Sequence, residues 1–489
     1  MSSRKKSTQS NVIEAIILAA GLGTRMKSKL PKVLHPVCGV PMLELLLTQL
    51  DQAFTESGLQ ARFHIVVGHG RDLVMSHVNQ LVEGRFIKTP VVYTVQQEQK
   101  GTGHAVILAL ENPETRSPHY NEGIVAIFNG DLPLFTPASF HELLKSHQDH
   151  NSAATLSSMV LSDPGAYGRV VRRGRSFESV VEFKDANLKQ RQIQEVNGGV
   201  YLFDRKTLTK CIAHIGNKNK TGEYYLPRVF ELARKSRQKI LAHPLSDSQS
   251  LWGVNNLIEL SQAQKHLYRR VADRLMTDGV SFLDPDATYV GPYVSMGQGC
   301  RVGPGTIIDG RTRIGDDVSI GAHCYLKNMH VASGAIIKQG TYAESSEVGP
   351  GTSVGPMAHL RPGSILGADV KIGNFVEVKE STIGSKTAVS HLSYVGDAQV
   401  GERVNIGCGF VTCNYDGQVR EGRRKHRSLI GNDVFIGSDS QVVAPITLAD
   451  GTYVASGSTV TESVKEPHSL VVARTRQVTK PGYARKYKK

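Results

Sequence analysis

The chain has 489 residues, 40% of them hydrophobic and 21% charged, and a formal net charge of +14. That length exceeds what one ordinary core organises and predicts two or three domains, while the composition excludes a disordered or fibrous chain. No run of about 18 apolar residues occurs, so no membrane-spanning helix is expected. The positive balance admits nucleic acid, anionic lipid or phosphorylated small molecules as partners. Part of it lies at the ends, at Arg4, Lys5, Lys6, Lys480, Arg485, Lys486, Lys488 and Lys489, where solvated tails are the simpler reading. Six cysteines, at 38, 211, 300, 324, 408 and 413, include no CxxC pair, which points to a reducing compartment, the cytoplasm.

After a basic tail (1–11), the run Val12–Ala20 imitates a signal peptide, but Glu14 interrupts its apolar core. It reads better as the first strand of an α/β domain spanning 12–257. Ile13–Ala19, Phe63–Val67, Val91–Val95 and Ile124–Phe128 are short aliphatic runs, and helix-like stretches such as Met42–Leu50 alternate with them. The alternation predicts a mostly parallel sheet with helices on both faces. The first strand ends in Leu18-Ala19-Ala20-Gly21-Leu22-Gly23-Thr24-Arg25-Met26, a glycine-rich turn whose N–H groups suit an anion. It lacks the Gly-Lys-Ser/Thr of a P-loop and the third glycine of a dinucleotide fingerprint. Arg25 and Lys32 follow it and supply positive charge for a phosphate. Gln96, Gln99, Gly101 and Thr102 follow another strand and suit hydrogen bonding to a flat base. In Asn129-Gly130-Asp131-Leu132-Pro133, Asp131 stands at a strand C-terminus, where a carboxylate is either a Mg²⁺ ligand or a turn cap.

Leu257–Asp278 carries Ala263, Leu267, Val271 and Leu275 at helical spacing, with Gly279 as its stop; it predicts a linker helix over 258–279. A six-residue period then takes over. Val290, Met296, Val302, Ile308, Ile314, Ile320 and Leu326 follow it, as do Ile430, Ile436, Val442, Leu448, Val454 and Val460. Neither a helix of 3.6 residues per turn nor a plain strand of period two produces this. Stacked coils of three short faces do, each face turning one aliphatic side chain inward. The reading is a parallel β-helix over 280–467, followed by a tail (468–489). The pattern fragments between about Arg361 and Ser428, and a broken scaffold is where chemistry is expected. His391-Leu392-Ser393-Tyr394 falls there. A neutral histidine suits deprotonation of an amine nucleophile, and Arg361, Lys379 and Tyr394 flank it in sequence with phosphate-binding chemistry.

The runs LAAGLGTRM, LPKVLH, QQEQKGTGHA, GDLP, AYGRVV, VVEFKDA, RQIQEVNGGVY, TGEYYLP and GVNN resemble the sugar-1-phosphate uridylyltransferases. From Val12 to Gln477 the chain resembles, in domain order, the bacterial bifunctional N-acetylglucosamine-1-phosphate uridylyltransferase / glucosamine-1-phosphate N-acetyltransferase family. The resemblance implies a Rossmann-like nucleotidyltransferase domain, a linker helix and a left-handed β-helix of hexapeptide repeats. It implies acetyl-CoA and UTP as co-substrates, Mg²⁺, phosphorylated amino sugars as partners, a cytoplasmic homotrimer, and UDP-N-acetylglucosamine for cell-wall precursors as product. Leu18, Ala19, Ala20 and Gly21 would line the nucleotide, with Arg25 and Lys32 as catalytic cations on its phosphates. Gln96, Gly101 and Thr102 would hold uracil, beside Asn129 and Gly130. Asp131 and Asn255 would bind Mg²⁺, and Gly168, Glu182 and Asn197 the sugar. On the β-helix, Arg361, Lys379, Tyr394 and Asn405 would bind glucosamine-1-phosphate, with His391 as general base and Glu377 orienting it. Cys408, Asn414, Tyr415, Lys425, Ser438, Ser456 and Arg474 match acetyl-CoA positions. The chain departs from the family at Asn129 (usually Tyr), Gly198 (usually Thr), and Cys408 and Ser456 (usually Ala), and Gln418–Arg424 reads as an insertion. Two other readings stand beside this one: a single-activity nucleotidyltransferase whose β-helix only assembles or regulates, and a nucleic-acid-binding module. The second lacks aromatic residues interleaved with its basic stretches.

Overall fold

The computed structural model describes residues 12–113, 123–417, 419, 422, 424–483 and 485. The N-terminal tail, most of Gln418–Arg424 and the last four residues therefore lie outside the described residues. The chain divides into two compact units, Met1–Lys265 and His266–Lys489, and the division falls within the helix Leu257–Thr277.

In the first unit the aliphatic strands pair in one sheet, in the order Ile240–Pro244, Ala154–Val160, Glu195–Asp204, Ile124–Asn129, Val12–Ala19, Gln60–Val67, Val91–Val95. The neighbours of Val12–Ala19 run parallel to it, and Glu195–Asp204 is antiparallel to both of its flanking strands. A sheet buried on both sides needs apolar residues on both faces. Ile13, Ala15 and Ile17 enter one core with the helix Met42–Glu56, and Ile16 enters the other with the helix Thr102–Glu111. The first of these helices runs past Leu50 because Ala53 and Phe54 keep the buried stripe going at helical spacing. Glu14, the residue that broke the apolar run, is buried and pairs with Arg62 (2.9 Å), His64 (3.1 Å) and Arg205, as a buried charge requires. The register sets Leu18 beside Val66 and Asn129, so the turns after these strands open together at the C-terminal edge of the sheet, where α/β folds place ligands.

In the second unit the short strands stack, among the described residues, into three sheets of 11, 10 and 9 strands. Each strand pairs in parallel with the strand one coil on, so that Val302 faces Ile320 and Ile320 faces Ile337. This is the left-handed parallel β-helix. The aliphatic residues of the six-residue ladder point inward, from Val290 at 0% exposure to Val460 at 3%. Met296, in the first coil, is the exception and stays half-buried. Two residues before the inward residue a second side chain is also buried, a small one in most coils, with Met329, Phe410 and Ile446 as the larger ones. Where it is a threonine its hydroxyl donates to a carbonyl, either one coil on, as from Thr306 to Gly321 (2.8 Å) and Thr352 to Gly367 (2.7 Å), or three residues back, as from Thr312 to Asp309 (2.7 Å) and Thr341 to Lys338 (2.7 Å).

The prism is not broken between Arg361 and Ser428. Val354, Ile372, Val389, Ile406 and Ile436 pair in unbroken succession. The six-residue count fails there because some faces are one residue shorter, which leaves the pairing intact while shifting the phase. The longest interval between successive prism strands lies between Val411–Cys413 and Ser428–Ile430.

Candidate active sites

In the first unit a cavity of about 290 Å³ opens at the C-terminal sheet edge, lined among others by Leu18, Ala20, Gly21, Lys32, Gln96, Gly101, Thr102, Asn129 and Asp131. These come from turns after three parallel strands, so sheet register brings them together. The walls are backbone-rich for steric reasons. Gly101 has φ of +102°, and a Cβ there would lie 2.8 Å from the Tyr224 carbonyl. Gly130 donates its N–H to the Leu18 carbonyl at 3.0 Å. Gln99 reaches the Ala20 carbonyl at 2.6 Å, and the buried Gln96 donates to Gly101 at 3.2 Å, which ties the loop 96–101 to itself and to the turn after the first strand. Ala19 does not line this cavity; its side chain is buried in the core behind it, so only its backbone is available to a ligand.

Asp131 and Asn255 converge. The Lys32 ammonium forms an ion pair with Asp131 Oδ2 and donates to Asn255 Oδ1 at 2.8 Å, and Arg25 donates to the same Oδ1 at 2.9 Å. Two protein oxygens therefore meet at one cation. Glu259 keeps Asn255 in place by accepting from its N–H (2.7 Å) and its Nδ2 (3.1 Å); sequence reading missed this residue. Among the described residues no group of three or more His, Cys, Asp or Glu side chains gathers as a metal cage. One carboxylate plus one amide oxygen fits Mg²⁺, which takes few protein ligands and completes its shell with water and phosphate oxygens.

Gly168, Glu182 and Asn197 also meet. Asn197 donates its backbone N–H to Gly168 O at 2.8 Å and its Nδ2 to the Tyr201 hydroxyl at 2.8 Å, and a Cβ on Gly168 would lie 3.3 Å from Glu182 Oε1. Burial, with help from Asp185 and Glu223, holds the Glu182 carboxyl above the usual carboxylate range. Gly198 has a packing reason: a Cβ there would come within 2.5 Å of Leu251 Cδ1 and 2.7 Å of Ser157 Oγ, so Leu251 fills the room a threonine would need. Asn129 lies against Gly199, whose missing Cβ leaves space for its amide.

On the prism, register rather than interruption gathers the candidates. Leu360 pairs with Val378, and Lys379 with Gly396, so Arg361, Lys379 and Gly396 sit one above another along one edge. The Tyr394 hydroxyl lies over Gly396, at a point 2.3 Å from where a Cβ would be, and accepts from Asn414 Nδ2 at 3.2 Å; Asn414 is held in turn by Asp397 at 2.7 Å. Along another edge Asn374 pairs with His391. Counting on from Ile406, Ile436 and Val454, Cys408, Ser438 and Ser456 continue the column that starts at His391. Asn405 is exposed on the strand leading into that column. Arg474 donates to the Ser456 carbonyl at 2.7 Å, and Lys425 lies 4.5 Å over the Tyr415 ring.

His391 is exposed, and its Nδ1 stands 2.7 Å from Asn374 Oδ1. An amide oxygen accepts, so Nδ1 is the donor in this contact, which in a neutral imidazole leaves the lone pair on Nε2. Glu377, expected to orient His391, pairs with Arg361 at 2.9 Å, and the contact of His391 Nδ1 is to Asn374. The ladder pairing Asn374↔His391 was hidden from sequence reading by the shortened faces.

The model of the MobA-like NTP transferase domain matches residues 15–193, and that of the GMPPB C-terminal domain matches 285–391. The chain is 41% identical over 474 residues to the bifunctional protein GlmU of Halalkalibacterium halodurans, covering 96% of this chain and 98% of that one. It is 41% identical over 473 residues to the bifunctional protein GlmU of an Exiguobacterium species, covering 96% and 99%. The structure of a UDP-glucose pyrophosphorylase complexed with UDP-glucose matches 53% of this chain and 99% of that one, at 17% identity and a TM-score of 0.40.

Proposed function

This chain belongs to the family of bifunctional GlmU proteins, and on that premise we propose how its residues divide the work. It is an enzyme with two activities in UDP-N-acetylglucosamine synthesis: it transfers acetyl from acetyl-CoA to glucosamine-1-phosphate, then uridylyl from UTP to N-acetylglucosamine-1-phosphate with release of pyrophosphate. We assign uridylyl transfer to residues 12–257 and acetyl transfer to residues 280–467, with the intervening helix as the link.

In uridylyl transfer a phosphate oxygen of the sugar phosphate attacks the α-phosphorus of UTP in line, and the bond to pyrophosphate breaks. The protein contributes position and charge. The turn Leu18–Gly21 packs against the nucleotide with backbone N–H groups. Gln96, Gly101 and Thr102 take the uracil edge. Arg25 and Lys32 neutralise the phosphates, and Gly168, Glu182 and Asn197 hold the sugar hydroxyls. Mg²⁺, held by Asp131 and Asn255, would supply Lewis-acid neutralisation of phosphate charge. The meeting of Asp131 and Asn255 at a single cation is the observation that carries this assignment.

In acetyl transfer Arg361, Lys379, Tyr394 and Asn405 hold glucosamine-1-phosphate through its phosphate and hydroxyls. Nε2 of His391 takes a proton from the attacking amine as nitrogen bonds to the thioester carbon. The carbon–sulfur bond breaks, and the proton passes to the departing thiolate. Cys408, Ser438 and Ser456, in the column running on from His391, line the acetyl-CoA side together with Asn414, Tyr415, Lys425 and Arg474. A homotrimer, formed through the flat prism faces, and a cytoplasmic setting complete the proposal. Paired substitutions test it: His391→Ala should cut CoA release by about 10²–10⁴ and leave pyrophosphate release from pre-acetylated sugar intact, and Asp131→Asn should cut pyrophosphate release and leave CoA release intact. Loss of both activities in either variant, with the fold retained, contradicts the division.

A further inference from the structure

We propose that Lys32 and a divalent cation exclude each other at the Asp131–Asn255 pair, so that the enzyme takes up its metal together with the nucleotide rather than before it. The inference rests on the metal assignment above and extends it to the order of binding.

The ammonium of Lys32 sits on the two oxygens a divalent cation would use, pairing with Asp131 Oδ2 and donating to Asn255 Oδ1 at 2.8 Å. Arg25 places a second positive charge on that same Oδ1 at 2.9 Å. The pair cannot easily turn away to serve a metal elsewhere. Glu259 clamps the N–H and Nδ2 of Asn255, so its Oδ1 has one direction to face. Val254 donates its N–H to the Asp131 carbonyl at 3.0 Å, fixing the backbone beneath the carboxylate. Side-chain exposure is 15% for both Lys32 and Asp131, so water screens the repulsion between an ammonium and a dication only weakly.

A nucleoside triphosphate resolves the conflict, because its phosphate oxygens give Lys32 and Arg25 stronger anionic partners. Drawing both cations onto the phosphates frees the two protein oxygens, Asp131 Oδ2 and Asn255 Oδ1, which would then be available to hold the metal. By linkage, nucleotide must tighten metal binding by the factor that metal tightens nucleotide binding. Lys32 therefore has a positioning role on the metal in addition to its role on phosphate.

The test measures Mn²⁺ retained with the full chain on ultrafiltration, quantified by electron paramagnetic resonance, with and without UTP. The unaltered chain should bind Mn²⁺ alone weakly and more tightly with UTP. Lys32→Met should raise affinity for Mn²⁺ alone by at least about tenfold, the consequence of removing one unit charge from a partly buried site, and should shrink the gain UTP brings. Lys32→Arg should retain the exclusion. Lys32→Gln serves as a second neutral variant should the methionine chain fold poorly. Affinity for Mn²⁺ alone that is unchanged or weaker in both neutral variants overturns the inference. If instead Asp131→Asn leaves UTP-dependent Mn²⁺ retention unchanged, the metal assignment itself falls, and the inference with it.

Discussion

Replacing Asn374 with alanine separates orientation of the general base from the base itself. The 2.7 Å contact from Asn374 Oδ1 to His391 Nδ1 fixes both the ring plane and the tautomer that leaves Nε2 able to accept a proton. Without it the imidazole keeps its chemistry and loses its bias. A hydrogen bond between neutral groups is worth about 0.5–1.5 kcal/mol, and about 1.4 kcal/mol is tenfold in rate. Asn374→Ala should therefore lower kcat for acetyl transfer by about 2- to 13-fold, with the KM for glucosamine-1-phosphate little changed. His391→Ala removes the base and should cost about 10²–10⁴. CoA release, followed with a thiol reagent, reads the effect, and pyrophosphate release from pre-acetylated sugar and UTP is the internal control. Full acetyl-transfer activity in Asn374→Ala, or a loss as deep as that of His391→Ala, would refute the assignment of Asn374 as the orienting partner.

Phe410 is wholly buried inside the prism, at the place where most other coils carry small side chains. Phe410→Ala should cost about 3–5 kcal/mol, read by denaturant unfolding, and a cost under about 1 kcal/mol would contradict the packing described. Burial pushes the Tyr93 phenol up to about 12 from 10.0. Its contribution to stability should be complete below pH 10 and be lost as pH rises towards 12, because the unfolded phenol ionises first. Ultraviolet titration of Tyr93→Phe against the unaltered chain should show the missing high-pH phenol. Burial also holds the Glu182 carboxyl above the usual carboxylate range. As pH falls, Glu182 should protonate before ordinary carboxylates do, and the KM for N-acetylglucosamine-1-phosphate should rise while that for UTP stays level; Glu182→Gln should flatten the KM profile.

The sheet was legible because strands buried on both faces cannot hide their aliphatic runs, and the prism because an inward side chain every sixth residue has no other economical explanation. Where faces lose a residue the count fails although the pairing persists, and this concealed both the continuity of the coils through 361–413 and the Asn374–His391 pair. The glycine-rich turn and Asp131 could be read from their places at strand ends. The grip of Glu259 on Asn255 and the pairing of Glu377 with Arg361 could not, since side-chain partners depend on angles that sequence spacing does not carry. Leu251 against Gly198 is similar: the departure from threonine was visible in the sequence, while the side chain that fills its place was visible only in three dimensions.

One reaction mixture tests the central claim most directly. The purified full chain, given glucosamine-1-phosphate, acetyl-CoA, UTP and Mg²⁺, should release CoA and pyrophosphate in equal amounts and accumulate UDP-N-acetylglucosamine. Pyrophosphate release from pre-acetylated sugar, with no CoA released from the amine, would contradict the account, because the column at His391 would then be scaffold and not an active site.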